Sequence, residues 1–217
     1  MDEPRDLKVG DWILKARVPS DAGPHRVFFL IHGWTGDEKS MWVFASRLPR
    51  NAILIAPRAP YVSKHPELGG YSWVPERGQS FSSLAMFQPA LASFETLLPN
   101  LAGQLSIDLS QFSLVGFSQG AAFSFAYAMG NPSRVSKLAA LAGFLPAESG
   151  QLAALSSIPI FIAHGAQDET VPVAMARQAH ADLEAVGVAV RYCESETGHK
   201  LGANCSVELQ AFFTSRA

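Results

Sequence analysis

"FSLVGFSQGAAFSFAYAMG" occupies residues 112–130. Its first six residues form a short apolar run, the length of a strand buried on both faces. From Ser118 onward the residues are small and apolar nearly all round, as in a helix packed against a sheet. The junction is a strand-to-helix turn with Ser118 set between Gly116 and Gly120. Two readings fit it. As a nucleophile, Ser118 would have its hydroxyl lifted clear of the sheet by the tight turn. The glycines would remove clashing side chains, and the helix N-terminus would supply N–H groups for a developing negative charge. As a structural residue, Ser118 would only cap the helix. The G-x-S-x-G pattern is too common by chance to choose between them.

Outward from that stretch, apolar runs alternate with helical patterns. "DWILKARV" (11–18), "RVFFLIHG" (26–33) and "NAILIAP" (51–57) precede it; "LAALAG" (138–143), "IPIFIAHG" (158–165) and "VAVRYCE" (188–194) follow. Helical patterns lie at 38–48, 84–105 (with Pro89 near the first turn), 118–130, 172–187 and 204–216. This alternation predicts one α/β domain over 1–217, with a mostly parallel sheet flanked by helices. About 14 residues separate "LAALAG" from "IPIFIAHG", too few for a large lid domain. The longest irregular stretch is 58–83; its Tyr61, Tyr71, Trp73 and Phe81 predict an ordered wall with a functional role.

A serine hydroxyl needs a histidine base, and the histidine needs a carboxylate to orient it. In a fold of this kind the chain order is serine, acid, histidine. Asp168 follows directly on "IFIAHG", and His199 lies in "RYCESETGHKLG" just before the last helix. All three would project from the carboxyl ends of strands, where open parallel sheets place their sites. The other titratable residues fit less well. Asp108 and His25 precede their strands, and His180 and Asp182 lie within a helix. Glu169 would point away from Asp168, and His65 is peripheral in the long loop. Acyl transfer also needs two N–H donors for an oxyanion. Those of Gln119 and of Trp34 are the expected pair, with Thr35 in reserve. His32 would brace that loop rather than titrate in catalysis. Trp34 and Trp73 either line the substrate pocket or pack in the core.

Composition narrows the alternatives. With 17 basic and 19 acidic residues there is no electrostatic footprint for nucleic acid. No run is long and apolar enough to span a membrane. The charged start "MDEPRDLKVG" lacks a secretory h-region, so a cytoplasmic location is expected. Cys193 and Cys205 form no framework and read as reduced thiols, with pairing left open.

"LIHGWTGDE", "GFSQGAA", "HGAQDETVP" and "TGHKLG" together resemble the phospholipase/carboxylesterase family of α/β-hydrolases, which includes acyl-protein thioesterases. The resemblance runs from about residue 25 to 214. It implies a Ser118–Asp168–His199 triad and oxyanion N–H groups at Trp34 and Gln119. It also implies hydrolysis of small-molecule acyl esters, thioesters or lysophospholipids without metal or organic cofactor; some members are homodimers. A carboxylesterase acting on small or medium acyl chains is the expectation. A non-catalytic binding protein on the same fold is the rival. Two departures stand out: Ala121 replaces a frequent glycine, and Trp34 heads a loop that is often shorter and begins with leucine. Dienelactone hydrolases share the fold but carry cysteine where this chain has Ser118.

Overall fold

The computed structural model describes residues 3–65, 67–75 and 81–215. Its strands are β1 (Arg5–Val9), β2 (Trp12–Arg17), β3 (Val27–Ile31), β4 (Ile53–Pro57), β5 (Tyr61–Val62), β6 (Tyr71–Ser72), β7 (Phe112–Phe117), β8 (Val135–Leu141), β9 (Ile160–Gly165) and β10 (Val190–Ser195). The helices are α1 (Leu84–Leu105), α2 (Gln119–Gly130), α3 (Val173–Ala185) and α4 (Ala203–Thr214). Eight strands form one sheet in the order β1-β2-β4-β3-β7-β8-β9-β10. Within this sheet, among the described residues, only the β1–β2 and β2–β4 pairs are antiparallel. From β4 to β10 every pairing is parallel. The expected mostly parallel α/β-hydrolase sheet is therefore present, with helices on both faces.

The apolar runs explain the layers. Successive strand residues point to opposite faces. In β3, Val27, Phe29 and Ile31 join a large core with α1, α2 and α3. Phe28 and Leu30 join the opposite core with α4 and the Ser40–Arg47 helix. In β9, Ile160 and Ile162 take the first face, Phe161 and Ala163 the second. A strand buried on both faces has few polar positions to spare, hence the largely apolar runs. The chain moves one way from β3 to β4 and then returns to place β7 on the other side of β3. The loops after β3 and β7 therefore flank a topological switch point, the usual ligand crevice of such sheets.

Some expectations need revision. β1 has no apolar signature, since Arg5, Asp6 and Lys8 are exposed and only Val9 is buried. It is a charged edge strand, a common protection against edge-to-edge pairing. Segment 38–48 forms a 3₁₀ helix, Ser40–Arg47, rather than an α-helix. Pro89 is the sixth residue of α1, beyond its first turn, and Pro99 lies deeper still. Both prolines are exposed, on the outer side of the helix. Within 58–83, residue 66 and residues 76–80 lie outside the described residues; the described part includes the β5–β6 hairpin. Residues 1, 2, 216 and 217 of the expected 1–217 domain also lie outside them. No described helix is long and apolar enough to cross a membrane.

The two cysteines are not reduced thiols: Cys193 and Cys205 form a disulfide, with Cα atoms 5.7 Å apart. Spacing along the chain did not reveal it. The loop after β10 doubles back, so α4 begins beside the strand and brings the two sulfurs together.

Candidate active site

The turn after β7 holds Ser118 at φ 53°, ψ −118°, a conformation that L-residues seldom adopt. Its environment enforces this geometry. The Ser118 N–H donates to Leu141 O at 2.8 Å. A Cβ at Gly120 would sit 2.2 Å from Ile31 O, and one at Gly116 would sit 2.4 Å from Gly120 O. Only glycines allow β3, β7 and α2 to approach this closely. The Ser118 side chain makes no capping bond to α2, so its hydroxyl is not spent on the helix. Ala121 is accommodated by Gly143, where a Cβ would come within 2.3 Å of the Ala121 methyl.

Asp168 lies just past β9 with its side chain fully buried. Its Oδ1 accepts N–H bonds from Thr170 and Val171, both at 2.9 Å. Its Oδ2 lies 2.7 Å from His199 Nδ1. The His199 loop is tied to the Asp168 loop by Ala166 N–H to Ser195 O and Gln167 N–H to Thr197 O. Gly165 lets the loops touch, since a Cβ there would lie 2.1 Å from Gly198 O. The His199 ring rests 4.9 Å from the Phe117 ring, next to Ser118. A second imidazole completes the acid's surroundings. His164 Nε2 lies 2.8 Å from Val171 O and 3.3 Å from Asp168 Oδ2. His164 Nδ1 is buried without a hydrogen-bond partner.

The loop after β3 is clamped from below. His32 Nδ1 bonds Gly33 O at 2.7 Å, and its Nε2 accepts the Ala59 N–H at 2.9 Å. That pattern fixes the tautomer with the proton on Nδ1. Burial pushes the imidazole pKa down to about 4, so His32 braces the loop, as expected. Arg58 grips buried Glu38 through two bonds, at 2.7 and 3.0 Å, and also donates to the Tyr71 hydroxyl at 3.0 Å. The Thr35 N–H is committed to Tyr71 O at 3.0 Å, which removes it as a reserve oxyanion donor.

Two clefts meet at Trp34, Thr35, Ser118 and His199. The larger, about 680 Å³, runs along the 3₁₀ helix past Met41 and Phe44; the smaller, about 270 Å³, runs past Phe81, Phe144 and Val171. Trp34 lines both. Trp73 lines neither: of its two expected places, pocket or core, it takes the core, fully buried. Its indole N–H donates to His32 O at 2.8 Å and its ring lies 4.3 Å from Phe123. That one polar partner allows complete burial.

The rejected alternatives lie elsewhere. Asp108 caps a turn through Ser110. Glu169 is exposed. His180 stacks on Tyr192, and His25 bonds the carbonyls of Asn51 and Asp21. His65 touches the site only at second hand, its ring 5.2 Å from that of Trp34. Among the described residues, no group of three or more His, Cys, Asp or Glu side chains could hold a metal ion. Sequence reasoning missed His164 and the Gln119 side chain. The latter accepts the Trp73 N–H at 2.9 Å and pairs with the Ser72 hydroxyl. The Gln119 contacts join segments that only the fold brings together, whereas those of His164 lie within eight residues of chain and depend on how the turn after β9 folds back.

The profile of the phospholipase/carboxylesterase family matches residues 15–214. The chain belongs to this family. Among solved structures, a carboxylesterase from Mesorhizobium loti superposes with a TM-score of 0.83 at 19% identity, covering 98% of this chain and 99% of its own. Esterase PE8 gives 0.78 at 24% identity, over 91% and 95% of the two chains. The carboxylesterase of Bacillus cereus gives 0.78 at 17%, over 92% of each. At these identities the likeness is one of fold.

Proposed function

We propose that the protein is a serine carboxylesterase that cleaves small or medium acyl esters through a Ser118–His199–Asp168 triad. One observation carries the reading: the 2.7 Å bond between His199 Nδ1 and the buried Asp168 carboxylate, on a histidine that lines the same clefts as Ser118. A carboxylate on Nδ1 leaves Nε2 to accept the serine proton and stabilises the imidazolium that forms. Ser118 attacks the ester carbonyl, and the N–H groups of Trp34 and Gln119 hold the oxyanion. His199 then protonates the leaving alcohol. Water, deprotonated by the same histidine, attacks the acyl-enzyme and releases the acid. No metal or organic cofactor takes part. The same sequence of steps would open a thioester or a lysophospholipid, so a panel of esters and thioesters of graded chain length ranks those substrates.

Replacing Ser118 by Ala should lower turnover of para-nitrophenyl butyrate by about 10⁴–10⁶ while the protein stays folded. A folded S118A variant with near-normal turnover would make the site non-catalytic and favour the binding-protein alternative. The cytoplasmic location expected from the sequence has the Cys193–Cys205 bond against it, because cytosolic thiols are generally kept reduced. Acid-quenched alkylation of the protein in its native host decides: labelled cysteines support the cytoplasm, protected ones an oxidising compartment.

A further inference from the structure

The two clefts differ in charge. The larger has Met41, Phe44 and Phe117 in its wall and carries Arg47 and Lys200, with no Asp or Glu among the described residues that line it. Arg47 belongs to the same three-residue row of the 3₁₀ helix as Met41 and Phe44, so one short element supplies both the apolar wall and a cation. Lys200 directly follows His199. Several other cations are spent on carboxylates: Lys15 on Asp6, Arg58 on Glu38, Arg134 on Glu95, Arg177 on Glu194 and Arg191 on Glu208. Arg47 and Lys200 form no such pair among the described residues. Among the described residues, the smaller cleft has no Lys or Arg in its lining.

From this asymmetry we propose that the substrate is an ester bearing an anionic group, carboxylate or phosphate, which enters the larger cleft beside Arg47 and Lys200. An uncharged acyl or alkyl part takes the smaller cleft. The inference rests on the esterase reading above. Two cations over an apolar wall raise the local concentration of an anionic ligand, and a guanidinium fork suits both oxyanion types. The attraction is between partly exposed groups, so salt weakens it.

Two matched pairs of esters test the idea. The mono-para-nitrophenyl ester of glutaric acid is compared with para-nitrophenyl pentanoate, which places carboxylate or methyl at the end of the acyl chain. Butyryl glycerophosphate is compared with monobutyrylglycerol, which places phosphate or hydroxyl on the alcohol. In at least one pair kcat/KM should favour the anion by about tenfold or more, equivalent to about 1.4 kcal/mol. The favoured pair identifies both the anion and the side of the ester that enters the cleft. Raising salt should shrink that preference, and the Arg47→Ala, Lys200→Ala double variant should bring the ratio to within about twofold of unity. Hydrolysis of the neutral esters with no anion preference in either pair overturns the proposal, as does a preference that survives both the double variant and high salt. Failure to hydrolyse any of the four esters, with no labelling of Ser118 by a fluorophosphonate, overturns the esterase reading instead.

Discussion

His32 shows what a single side chain contributes here. It spans two segments, accepting the Ala59 N–H at Nε2 and donating from Nδ1 to Gly33 O. Protonation would place an N–H against an N–H at Ala59, in a site closed to water. Its folded pKa of about 4 lies below the ordinary 6.5. The unfolded chain therefore binds the extra proton first as pH falls. The stabilisation is fully present above about pH 6.5 and is lost as pH drops toward 4, on the order of 3 kcal/mol in all. Urea denaturation from pH 7 to 4 should show this loss, and His32→Gln should flatten that part of the curve. An unchanged slope in the variant would remove His32 as its source. Residues of this kind divide sharply in legibility. Ser118, Asp168 and His199 were readable because each sits on a local signal, a strand end followed by a turn. Trp73 was not readable, since the outcome depended on a single distant carbonyl accepting its indole N–H.

Between elements, small residues and one covalent bond hold the site's geometry. The Ala121 methyl occupies the space that Gly143 leaves open. Gly143→Ala should destabilise the fold by about 1–3 kcal/mol through overpacking. Ala121→Gly should recover a large part of that loss, measured as a double-mutant cycle in urea. Additive effects would mean the two methyl positions do not compete. The Cys193–Cys205 bond closes the segment that carries His199, joining β10 to α4 across 12 positions. Removing it by Cys193→Ser and Cys205→Ser should lower stability by about 3 kcal/mol. Equal denaturation curves with and without the bond would show that backbone packing alone fixes this loop. The main elements were legible because residues such as those of Val27–Ile31 are apolar without interruption, as a strand covered on both faces requires. The 3₁₀ form of Ser40–Arg47 was not legible. The spacing of Met41, Phe44, Ala45 and Leu48 is that of one face of an α-helix, and the tertiary contacts decide. The disulfide was hidden for a related reason, as chain spacing does not record where a loop returns.

Across the whole molecule, the sheet order converts scattered residues into one site. β3, β7, β9 and β10 run parallel, so the segments after them emerge at one edge. Those segments carry Trp34, Ser118, Asp168 and His199 in turn. The alternation of strand and helix in the sequence implied this edge before any contact was known. It gave no hint of the charge difference between the two clefts, which arises from residues on separate loops and on the 3₁₀ helix. The central claim is that Ser118, activated by His199, is the residue that takes the acyl group. Intact-mass spectrometry and peptide mapping after exposure to a fluorophosphonate test it most directly. A single phosphonyl adduct on Ser118 is expected, formed rapidly in the native protein and absent from S118A. A native, folded protein that stays unlabelled, or that carries the adduct on another residue, would contradict it.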